Sequence, residues 1–95
     1  MNTTVYQILQ KVLPKIRDNP GLLEGFVYPR DIDGIRSTGK IPLNLLENVA
    51  GNHLFDGKHH ERFDITEDEG GYVRSYFRNK ADRDDDLKKS FPYVI

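Results

Sequence analysis

The chain of 95 residues has no cysteine, no tryptophan and one methionine. Without cysteine there is no disulfide framework and no thiolate chemistry, so whatever holds the fold must be packing and polar contact. Charge of one sign is also lacking. Fourteen Lys and Arg against 15 Asp and Glu leave a net charge of −1. No overall field therefore steers the chain to nucleic acid or to an anionic surface, and any such binding has to be local. Long apolar runs are missing as well, since no stretch approaches the roughly 18 residues of a membrane span. The opening Met1-Asn2-Thr3-Thr4 does not lead from a basic segment into an apolar one. The expectation is a cytoplasmic protein without membrane association, and no internal repeat or linker divides residues 1–95 into more than a single domain.

What is present suffices for one modest core. Leu, Ile, Val and Phe supply 27 of the 95 residues, above the roughly 20% below which disorder becomes the default. Val5, Ile8, Leu9, Val12, Leu13 and Ile16 recur at helical spacing behind a Thr4-x-x-Gln7 capping pattern, so an N-terminal amphipathic helix is expected. Pro14 removes an N–H bond inside it and predicts a kink, or a second short helix starting there. Residues 22–29, LLEGFVYP, suggest a helical turn and a short strand through Phe26, Val27 and Tyr28. Leu43, Leu46, Val49 and Ala50 mark a short central helix between Pro42 and Gly51.

The stretch ERFDIT-EDEGG-YVRSYFR reads as an antiparallel β-hairpin with Gly70-Gly71 at its turn and Phe63, Ile65, Val73 and Phe77 facing the core. Beyond it, Asp84, Asp85 and Asp86 precede Lys88 and Lys89 in the order that suits a helix dipole, which predicts a charged C-terminal helix after Asn79. The expected fold is α+β: a small single domain with a kinked N-terminal helix, one or two short central helices, the hairpin and the charged helix.

Residues 31–42, DIDGIRSTGKIP, contain two motif-like patterns. Gly34-x-x-x-x-Gly39-Lys40 has the spacing of a phosphate loop. However, Ile41 stands where such a loop needs a hydroxyl for magnesium, and Pro42 removes an amide. Asp31-Ile32-Asp33-Gly34 resembles, over four letters, the aspartate motif of haloacid dehalogenase-like phosphatases. Ile35 occupies the threonine position of that motif, and Tyr28-Pro29-Arg30 stand in place of its strand. Both patterns are read as turn chemistry, with Ile32 and Ile35 facing inward. A DNA-reading helix-turn-helix around Thr38-Gly39-Lys40 lacks cations on its second helix, because no Arg or Lys occurs between Lys40 and Lys58.

His53, His59 and His60, with Asp56, Glu61 and Asp64 nearby, are the candidate metal ligands. Neighbours on an extended segment point apart, so His59 and His60 would not both join His53 in one site, and no metal or other cofactor is expected. Ser37, Ser75 and Ser90 have no triad partner, so the chain is expected not to be an enzyme.

On the expected hairpin, alternation gathers Tyr72, Arg74, Tyr76 and Arg78 on one face, and Glu67, Asp68 and Glu69 at the tip. Tyr and Arg are enriched in protein-interface hot spots. The acidic tip would be repelled by phosphates, whereas a protein partner can complement it. The expected function is thus a small non-enzymatic interaction or regulatory protein that binds another protein through these seven residues. The first alternative is a sequence-tolerant nucleic-acid binder using the same Tyr/Arg face. The second is a metal-dependent enzyme using His53 with His59 or His60. The apolar end Phe91-Pro92-Tyr93-Val94-Ile95 can add a strand to a sheet of this chain or of another copy, which would give a dimer.

Overall fold

Among the described residues, five α-helices carry the core: α1 (Thr3–Asp18), α2 (Pro29–Thr38), α3 (Leu43–Ala50), α4 (Glu67–Arg78) and α5 (Asp84–Ser90). The computed structural model describes residues 3–95. Short 3₁₀ turns at Pro20–Leu23, His60–Phe63 and Lys80–Asp82 link some of the helices. The helix predicted over residues 4–16 is there as α1, and it buries Val5, Ile8, Leu9, Val12, Leu13 and Ile16. It runs through Pro14 as one helix, without the second start the proline suggested. Thr4 lies inside α1 and not at its cap.

The α+β expectation is overturned. Among the described residues there is no strand, only isolated bridges at Glu24–Val27 and Ile41–Val94. The predicted hairpin is instead a 3₁₀ turn followed by α4. A capping box starts that helix: the Thr66 hydroxyl accepts from the Glu69 N–H at 3.1 Å and the Glu69 carboxylate accepts from the Thr66 N–H at 2.9 Å. Glu67, Asp68 and Glu69 then fill the first turn, where the helix dipole favours negative charge. Gly70 makes no turn. It lies buried in α4, where a Cβ would sit 2.6 Å from the Phe55 carbonyl oxygen, so its missing side chain lets the helix close onto the 51–58 segment. Val73 and Phe77 still face the core, being four apart and therefore on one side of a helix as well as of a strand.

Of the expectation for 22–29, the helical turn is present as the end of the 3₁₀ turn Pro20–Leu23, but the strand through Phe26, Val27 and Tyr28 is not. Residues 24–28 form a turn in which Gly25 takes φ +91°, a conformation that side chains disfavour. The 31–42 motif region is mostly helix. Asp31, Asp33 and Gly34 belong to α2, Gly39 is its left-handed cap at φ 67°, and Ile32 and Ile35 are buried as expected. A backbone already hydrogen-bonded as a helix has no loop of free amides to offer a phosphate.

Each helix contributes to one buried cluster, in which α4 packs on α1 and α3 and α2 packs on α1. The C-terminal segment closes this cluster. Ile41 N–H donates to the Tyr93 carbonyl at 2.8 Å, Ile95 N–H to that of Ile41 at 2.9 Å, and Leu43 N–H to that of Ile95 at 2.6 Å. The apolar end thus pairs with its own chain, and Val94 is buried beside Ile41. No helix among the described residues is long and apolar enough to cross a membrane.

Candidate functional site

On a helix, residues four or seven apart share a face, so Asp68 aligns with Tyr72 and Glu67 with Arg74, at the two rims of one surface. The change from hairpin to α4 therefore splits the seven candidate residues. Glu67, Asp68, Tyr72 and Arg74 stay together, lining with Gly71 and Ser75 a shallow depression of about 380 Å³ on the solvent side of α4. Tyr72 is 53% exposed there. Among the described residues neither Glu67 nor Asp68 forms an ion pair, and Arg74 is likewise uncompensated.

The other three residues do structural work. Tyr76 is buried, its ring edge-on to Phe77 at 6.0 Å. The Arg78 Nε donates to the Gly51 carbonyl at 3.1 Å, tying α4 to the end of α3. Glu69 is committed to the capping box. The continuous Tyr/Arg strip expected of a β face does not exist, because its third member lies in the core.

His53 is exposed, while His59 and His60 are half-buried, and no group of three metal-ligating side chains is found among the described residues. The Asp56 carboxylate organises this turn. It accepts from the N–H groups of Lys58 and His59 at 2.8 and 2.9 Å and meets the His59 Nδ1 at 2.7 Å. The backbone N–H of Lys58, together with the His59 contacts, holds the Asp56 carboxyl below its ordinary range against the opposing effect of burial. The His59 ring stands edge-on to Phe26 at 4.9 Å, and the Arg62 guanidinium lies over the same Phe26 ring at 5.1 Å while donating to the Glu24 carbonyl at 2.9 Å. These contacts join the 56–63 turn to the 22–28 turn. Both histidines keep their Nδ1 occupied, since His60 uses its own on the Asp56 carbonyl at 3.1 Å.

A buried cation went unanticipated in the sequence. Arg83 is fully buried. Its guanidinium donates to the Phe77 carbonyl and to Asp84 Oδ1 at 2.8 Å, and its Nη2 lies 3.2 Å from Glu47 Oε2. Lys80 closes on the same Glu47 at 2.7 Å. That Lys80 contact, with Arg83 behind it, lowers the Glu47 carboxyl below its usual range although partial burial opposes the shift. The Nη2 contact is an ion pair only, because the group has no aligned hydrogen-bond partner. In sequence, Ala-Asp-Arg-Asp-Asp-Asp looks like a solvated charge run. The one signal available was Glu47, a lone carboxylate on a short apolar helix. The cluster clamps α3 to the α4–α5 connection, and its charges are spent on one another.

Among the described residues, the arrangement on α4 offers two carboxylates without an ion pair, an exposed aromatic ring and a cation without one. Comparison with protein families, curated proteins and solved structures gave no match to this chain.

Proposed function

We propose that the chain is a small non-enzymatic module that binds a protein partner on the solvent face of α4, with Tyr72 as the anchor. The observation that carries the reading is Tyr72, 53% exposed on a helix whose opposite side is packed, with the carboxylates of Glu67 and Asp68 unpaired one turn before it. An aromatic ring flanked by free carboxylates suits an Arg or Lys of the partner, which can lie over the ring while pairing with an acid. Tyr also supplies a large contact area at low conformational-entropy cost. Tyr76 in the core leaves no row of rings on which successive bases could stack, so the protein partner is preferred to nucleic acid.

The test is site-specific photocrosslinking. A photoreactive amino acid at Ser75, beside Tyr72, is activated in native lysate, and products are compared between the wild type and the variants Tyr72→Ala and Glu67→Lys/Asp68→Lys. Crosslinks to a discrete protein are expected, reduced about tenfold or more in both variants, the scale of an interface hot spot. Tyr72→Ala should keep the parent stability to within about 0.5 kcal/mol, because its side chain is exposed, whereas the double reversal should cost about 1–2 kcal/mol, because it places two cations in the first turn of α4, and both should remain folded. Crosslinks to nucleic acid alone, or to a protein with equal yield in all variants, would overturn the reading.

A further inference from the structure

A second surface carries the opposite chemistry. Between α2 and the paired 41–43 and 93–95 segments runs a mainly apolar groove of about 250 Å³, walled by Ile35, Pro42 and Ile95. Its floor includes Gly34, in the middle of α2. A helix interior disfavours glycine relative to alanine, and nothing in the folded chain calls for one here. Gly34 has no positive φ, and a Cβ built on it meets no atom within 4 Å. The fold leaves open space where a side chain would stand, which suits close approach by something outside the chain.

The rim carries two cationic side chains, Arg30 and Lys40, and one acidic side chain, Asp31. Arg30 stands at the beginning of α2 and Lys40 just beyond its cap, and among the described residues neither makes a side-chain hydrogen bond or an ion pair. Asp31 is the carboxylate on that rim, while Asp33 turns its own to Arg36 at 3.5 Å. Arg30 is held over the ring of Tyr28 at 5.1 Å, and that ring is 67% exposed.

We infer that this groove binds an acidic, apolar segment of a partner protein, whose apolar side chains lie on Gly34 and Ile95 and whose carboxylates meet Arg30 and Lys40. This goes beyond the α4 reading, uses none of its residues, and stands or falls separately from it.

The test is fluorescence anisotropy with three labelled probes: a peptide of Asp, Glu, Leu and Phe, the same peptide with Lys and Arg for its acids, and a single-stranded oligonucleotide. Wild type, Arg30→Glu/Lys40→Glu, Gly34→Leu, Gly34→Ala and Tyr72→Ala are compared. Saturable binding of the acidic peptide is expected, weakened about tenfold or more by the charge reversal and by Gly34→Leu, and unchanged by Tyr72→Ala. Gly34→Ala reports on the fold and should raise the denaturation midpoint, since its methyl enters open space. The inference is overturned by absence of saturable binding at millimolar protein, by equal or better binding of the basic peptide or the oligonucleotide, or by binding unchanged in both groove variants. Concentration-dependent self-association abolished by Gly34→Leu would assign the groove to a second copy, and would overturn it too.

Discussion

Arg83 is the residue on which most of the polar organisation depends. A buried guanidinium held by a carbonyl and two carboxylates is costly to disturb from one side, because removing one partner leaves the others without theirs. Arg83→Ala is therefore expected to cost about 3 kcal/mol or more. Arg83→Met combined with Glu47→Leu should recover much of that loss, since it removes both charges and refills the volume. Urea denaturation of the two variants checks this, and equal losses in both would contradict it. Acid acts on the same group. Glu47 and Asp56 are both held below their ordinary ranges, so each adds stability that is present above the ordinary carboxylate values, near 4, and is lost as pH falls through the lowered ones. Stability should hold from neutrality to about pH 5 and decline below about pH 4. Glu47→Gln and Asp56→Asn should each flatten that decline, as read from denaturation midpoints across an acid series.

At the scale of the element, α4 shows how two adjacent glycines can have opposite meanings. A Cβ on Gly70 would lie 2.6 Å from the Phe55 carbonyl oxygen, whereas one on Gly71 would come no nearer than 3.8 Å, to the flexible end of Arg74. Gly71→Ala is thus expected to stabilise by about 0.5–1 kcal/mol through helix propensity. Gly70→Ala should destabilise by about 2 kcal/mol or more, because the helix must shift off a backbone atom. Thermal melts of the pair check the contrast. The same glycines explain why this part of the fold was misread from sequence. Gly-Gly between two apolar stretches satisfies a hairpin, and Val73 with Phe77 fits either period. The deciding signal was Thr66-x-x-Glu69, a capping box that runs from the last residue of the supposed first strand into the supposed turn. α1 was legible because six apolar positions agree on one period, and α3 because Pro42 and Gly51 bracket four. Of the candidate surface, Glu67, Asp68, Tyr72 and Arg74 survive the change of element because helical spacing also brings them together. Tyr76 does not, since on a helix it moves to the side of Phe77. Arg83 could not be found locally, because its partners Glu47 and Phe77 meet it only after α3 and α4 have packed.

For the molecule as a whole, the two proposed surfaces differ in charge while the net charge stays near zero, so added salt should weaken binding at each without affecting solubility in one direction. The core reaches from α1 to the C-terminal segment as one cluster, with Val94 seated beside Ile41. Opening of that cluster has a chemical witness already in the chain. Of seven arginines, six have some exposure to solvent and Arg83 has none. An arginine-selective dicarbonyl reagent should therefore modify six sites promptly and Arg83 only in molecules that have come apart around it. The lag of the seventh adduct, followed by mass spectrometry, would time the opening of the unmutated, unlabelled protein.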